Sequence, residues 1–295
     1  LRERKEWHEV IEAGAEALCV VEYGELRAQI ARELVEAAYE IEDPEGILHG
    51  RREYFFSLPD TGSLIEYLME AERQQLLDQE LSVACSFLEA HSDSQNSYRA
   101  LILRILLMQG NLTSIINPAE EHGKDGFVYN GESAGAILAA VFIALSGRDA
   151  EQAAAIQLLL RRGLTRDFPY SLAMKLTRQS ASGMPGQDPD EFLLQAVRRG
   201  LITHTVPSEK ERRGFLAWAE DLTRNTINDI VSNQLRHSYD TAALYLCALA
   251  EGLTLIGSSR KAAGVIREFR NQRYARHSSF RKKLKEIMDQ SFIQY

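Results

Sequence analysis

An all-α architecture follows from three features of this 295-residue chain. Apolar residues recur at spacings of three and four along most of its length, as amphipathic helices require. Val, Ile and Thr never settle into alternating runs bounded by turn residues, so a sheet finds no support. Breaks rich in Gly, Pro, Asn or Asp fall at short intervals and divide the chain into about fourteen helices.

The first helix covers residues 5–20, where Trp7, Val10, Ile11, Gly14, Ala15, Leu18 and Cys19 share one side opposite Glu6, Glu9, Glu12 and Glu16. After Tyr23-Gly24 a second helix runs to about residue 41, with Leu26, Ile30, Leu34, Ala37, Ala38 and Ile41 as its apolar stripe. Glu42-Asp43-Pro44 closes it, because a residue before proline avoids the helical conformation. The pair reads as a helical hairpin. A short helix is expected over 51–57, one over 64–77 capped by Asp60, Thr61 or Ser63, and one over 79–90. Polar residues 92–97 form a loop. A helix over 98–109 ends at Gly110-Asn111, and a short one to about 121 leads into the polar turn at 122–126.

Residues 132–145 are rich in alanine and strongly apolar, which reads as a central helix that others approach closely. Gly147 breaks it, Asp149 caps the next, and 153–160 complete a hairpin before Arg161-Arg162-Gly163-Leu164. The same tetrapeptide returns 37 residues later at Arg198-Arg199-Gly200-Leu201, a spacing within the range of two-helix repeats. Between the copies, residues 181–189 carry the strongest loop signal, so the expected division is 1–180, an exposed loop at 181–189, and 190–295. Ser208 and Glu211 form a capping-box pattern that opens a long helix to about 237. Helices over 240–256, 261–274 and 279–292 complete the chain.

With 45% hydrophobic and 26% charged residues, the chain has material for one large core or two modest ones. Its longest unbroken apolar runs fall short of the roughly 20 residues that span a membrane, so no transmembrane segment is expected. The start lacks a Met and a signal segment, which predicts a portion of a longer protein. Three scattered cysteines, Cys19, Cys85 and Cys247, argue against a disulfide framework and for a reducing, intracellular setting, cytoplasmic rather than nuclear. The net charge of −8 conceals a gradient: residues 1–100 carry 22 acids against 9 bases, and residues 260–285 carry ten Lys or Arg against Glu268 alone.

None of the seven histidines stands in a metal-binding spacing, and no phosphate-loop, nucleophile-elbow or kinase pattern occurs, so neither a metal nor a cofactor is expected. His122 with Asp125 and His237 with Asp240 lack any matching nucleophile. Two residue sets remain as binding candidates. Trp7, Tyr54, Phe55 and Phe56 offer aromatic contact to a protein, since three consecutive residues of a helix cannot all face one way. Arg267, Arg270, Arg273, Tyr274, Arg276, Phe280, Arg281, Lys282 and Lys283 interleave basic and aromatic groups that suit phosphates and unpaired bases.

In its helical hairpins the chain resembles tetratricopeptide-like α-solenoid proteins. The local matches are Trp7, Val10, Ile11 and Gly14, then Tyr239, Leu246 and Ala250 followed across Gly257 by Ala262, Ile266 and Phe269. The resemblance implies stacked antiparallel helix pairs that act as an adaptor for peptides or proteins. The expected function is therefore a non-catalytic scaffold for another protein, or for another region of a longer chain. A nucleic-acid-associated protein and an all-helical enzyme are the alternatives, and the oligomeric state is left open.

Overall fold

The computed structural model describes residues 2–91, 98–116, 132–165 and 188–291. The expected loop at 92–97, the turn at 122–126 with His122 and Asp125, and most of the 181–189 loop lie outside the described residues. Among the described residues there are fourteen α-helices and no strand. They are α1 (Arg2–Val20), α2 (Glu25–Glu40), α3 (Pro44–Ser57), α4 (Thr61–Arg73), α5 (Leu77–His91), α6 (Arg99–Met108) and α7 (Leu112–Ile116). Then follow α8 (Glu132–Ser146), α9 (Ala154–Thr165), α10 (Pro189–Thr203), α11 (Glu209–Ser232), α12 (Tyr239–Leu255), α13 (Ser259–Arg267) and α14 (Ser278–Met288).

The chain divides into two compact units, residues 1–105 with 168–193 and residues 106–167 with 194–295. This differs from the expected cut at 181–189. The hairpin of α8 and α9 packs on α12, so long-range contact assigns it to the C-terminal helices, which local loop chemistry could not indicate.

In the first unit, α1 to α5 pack each against the next. Pro44 occupies the first turn of α3, where its missing N–H costs nothing, so this helix begins seven residues before the expected 51–57 segment. Asp60 caps α4 through a reciprocal box: the Ser63 N–H donates to Asp60 Oδ1 at 2.8 Å and the Asp60 N–H to Ser63 Oγ at 3.1 Å. The expected 64–77 helix ends early, at Arg73, because Gln75 turns left-handed at φ 59°, and Leu77 already opens α5. A buried carboxylate ties the next helices together. Glu80 of α5 accepts from Arg52 Nε at 2.9 Å and Nη2 at 2.5 Å, and from the Tyr67 hydroxyl. Burial and then the adjoining carboxylate push the Tyr67 phenol well above its ordinary range, so it stays a donor.

The second unit is arranged around α12, which packs against α8, α9, α11, α13 and α14. Residues 242–253 are all buried, as expected of a core helix covered on every side. Gly252 permits a close crossing: a Cβ there would stand 2.0 Å from the Phe142 ring of α8. Glu251, also fully buried, accepts the backbone N–H groups of Ala155 at 2.9 Å and Ile156 at 3.1 Å, so α12 caps the start of α9 from almost a hundred residues away. Both Arg-Arg-Gly-Leu tetrapeptides lie in the last turns of helices, α9 and α10. The stretch Ser133–Gln152 has the length and composition to cross a membrane, at 20 residues and mean hydropathy 1.3, but 67% of it is buried inside the protein. Ser208 and Glu211 form the expected capping box, with the Ser208 N–H donating to Glu211 Oε2 at 2.8 Å. That helix stops at Ser232 rather than near 237, because Gln234 turns left-handed at φ 53°.

Candidate functional site

The apolar surface of the first unit gathers where α1 turns into α2. The turn rests on Gly24, whose φ of 144° is a conformation that side chains rarely tolerate. Beneath it, Leu18, Ala31 and Leu34 form a buried cluster joined by Ala15, Ile30 and Tyr54. Arg27 of α2 fixes the end of α1. Its Nη1 donates to the Leu18 and Val21 carbonyls, the latter at 2.6 Å, satisfying groups that a helix end leaves open. Its Nε and Nη2 donate to Glu53 of α3 at 2.9 and 2.5 Å.

This clamp also positions an aromatic ring. The Arg27 guanidinium lies 4.7 Å from the centroid of Tyr23, which meets Phe87 edge-on at 5.5 Å and His91 at 5.9 Å. Phe87 in turn stacks on Phe56 at 4.0 Å and on His91 at 4.2 Å. At the turn itself Val20, Tyr23 and Leu26 are 82%, 51% and 60% exposed. Exposed carboxylates of Glu16, Glu22 and Glu25 neighbour them along the chain. An open cavity of about 640 Å³ adjoins the turn, lined by residues that include Leu18, Cys19, Tyr23, Arg27, His49 and Glu53.

Arg27 has committed its donors to Glu53 and to backbone carbonyls, which leaves it a structural rather than an anion-binding group. Cys19 is exposed and donates to the Ala15 carbonyl at 3.4 Å. By contrast Cys85 is buried, and burial, with Glu89 beside it, pushes its thiol up to about 12. Among the described residues no group of three His, Cys, Asp or Glu side chains is placed to hold a metal ion.

The residues singled out from sequence are distributed differently. Trp7 is half-buried on α1. Tyr54 is half-buried, and its hydroxyl accepts from Arg32 at 3.1 Å. Phe55 is fully buried against Tyr67 and meets Phe87 at 6.4 Å, while Phe56 stacks on Phe87 at 4.0 Å. The aromatic triplet therefore forms no common outward face.

The basic candidates need a correction. Tyr274 and Phe280 are buried, ring to ring at 5.9 Å, and Tyr274 donates to Asn228 Oδ1 at 2.8 Å, so neither presents a face for base stacking. They pack inward because α14 folds back on α12, and Phe280 also meets Tyr239 at 6.0 Å. Arg273 pairs with Glu268 at 3.3 Å and Lys283 with Glu286 at 2.9 Å. Arg270 is half-buried, while Arg267, Arg276, Arg281 and Lys282 are exposed.

Sequence reasoning missed Val20 and Tyr23 as surface groups and placed Leu26 on the buried stripe. The stripe is real but wider than the contact. Helix α2 buries Ala28, Ala31, Leu34, Val35, Ala37 and Ala38, whereas Leu26 lies in its first turn, next to the connection from α1.

Comparison with protein-family models, with curated proteins and with solved structures finds no match.

Proposed function

We propose that this chain is a helical scaffold that binds another protein through the turn between α1 and α2, the partner supplying apolar and basic side chains. The observation that carries the reading is the exposure of Val20, Tyr23 and Leu26 amid Glu16, Glu22 and Glu25, with the Tyr23 ring held by Arg27 and Phe87. A Tyr already fixed by packing loses little freedom on binding, which is how few residues come to dominate an interface. The stepwise packing of α1 to α5 supports the same reading.

Affinity capture of the whole protein, with nuclease and salt controls, tests it. A protein partner is expected to survive nuclease treatment and to be lost from Tyr23→Ala and Leu26→Asp, with binding weakened by about 30-fold if Tyr23 is a hot spot. Capture that neither substitution weakens would overturn the proposal. A signal abolished by nuclease would favour phosphate binding through Arg267, Arg276, Arg281 and Lys282 instead.

A further inference from the structure

We infer that a second copy of this chain is an occupant of the α1–α2 surface, docking there with the basic end of its own second unit. The inference rests on reading that turn as a docking surface and adds what fills it. The first surface is apolar with acidic neighbours: Val20, Tyr23 and Leu26 beside Glu16, Glu22 and Glu25, in a segment where acids outnumber bases 22 to 9. The chain also carries a surface of matching kind and opposite sign. Leu235, 41% exposed, stands in the connection between α11 and α12 next to exposed Arg236. That connection runs into Tyr239, whose ring meets Phe280 of α14 at 6.0 Å, and α14 exposes Arg281, Lys282 and Lys283.

Two acids near this end are paired locally: Asp240 accepts from Arg162 at 3.4 Å and Glu286 from Lys283 at 2.9 Å, which leaves Arg236, Arg281 and Lys282 as the exposed bases beside exposed Asp229 and Asp289. The two surfaces are therefore opposite in charge, and each exposes apolar side chains: Val20, Tyr23 and Leu26 on one, Leu235 on the other. Such a contact joins different faces of the two copies. It is heterologous, so growth continues head to tail unless a ring closes.

The test is sedimentation velocity of the full chain over a range of concentrations, at about 0.1 M and about 1 M salt, between which the screening length falls from about 10 to about 3 Å. The wild-type chain is expected to associate with rising concentration at low salt, and about tenfold more weakly at high salt. Leu26→Asp should remove the acidic surface's function, and a double variant with Arg236→Glu and Lys282→Glu that of the basic surface. Each variant alone should stay monomeric, while their equimolar mixture should form dimers that grow no further, since only one intact surface of each kind remains per molecule. Recovery in the mixture also shows that both variants are folded. A wild-type chain that is monomeric throughout overturns the inference, as does association that ignores salt or a mixture that stays monomeric while wild type associates. These failures leave the capture result standing, so a partner of another kind remains distinguishable from none.

Discussion

Glu251 shows how a single side chain can bind distant parts of a fold. Its carboxylate sits where no water reaches and takes two N–H groups from the start of α9, a helix that has no cap of its own kind nearby. Burial raises its pKa above the usual 4.5, outweighing hydrogen bonds from Ser291, Ile156 and Ala155 that favour the charge; Cys247, one turn earlier on α12, is itself a buried thiol and adds no compensating charge. The folded state therefore holds the proton more tightly than the unfolded chain, and stability from this group falls as pH rises from about 4.5 through the raised value. Glu251→Gln cannot ionise, so urea unfolding at several pH values should show wild type losing ground to it over that window; a constant difference would refute the linkage. Glu251→Ala, which leaves two buried N–H groups without an acceptor, should cost more, about 2–5 kcal/mol. Nothing in the local sequence marks this residue, because its partners lie almost a hundred positions away, whereas the Asp60 and Ser208 caps were readable from neighbours three residues apart.

At the scale of elements, local chemistry set the helices and tertiary contact trimmed them. Pro44 was legible as the end of α2 but not as the start of α3, since one proline is compatible with both roles. The left-handed residues Gln75 and Gln234 ended helices without a glycine to announce them. Gly24 is the opposite case, a turn visible in the sequence and strictly required by the structure. An added Cβ at Gly24 would meet nothing within 4 Å, so the cost of Gly24→Ala is conformational alone, about 1–3 kcal/mol. The expected outcome is a lower urea midpoint with an unchanged slope, together with weaker partner binding, because the adjoining Tyr23 loses its fixed position. An unaltered midpoint would show that the turn is not held in this conformation.

On the scale of the whole molecule, two kinds of helical packing share one chain. The first unit is built largely from helices that touch their neighbours in sequence, while the second gathers five helices around α12. Hydrogen exchange followed residue by residue should therefore find the slowest amides of the second unit in residues 242–253, whose opening requires the unit to unfold. Slower exchange in α13 or α14 than in α12 would contradict that order. The sequence by itself determined the all-α class, the helical periodicity and the Ser208–Glu211 capping box, since each depends on residues within a few turns of one another, and the charge gradient, which is composition alone. Only the tertiary structure decided that Leu26 faces out while Tyr274 and Phe280 face in, that the α8–α9 hairpin belongs with the C-terminal helices, and that Glu251 caps a remote helix. Helical spacing says which residues share a face, but the neighbour that covers that face comes from contacts distant in the chain.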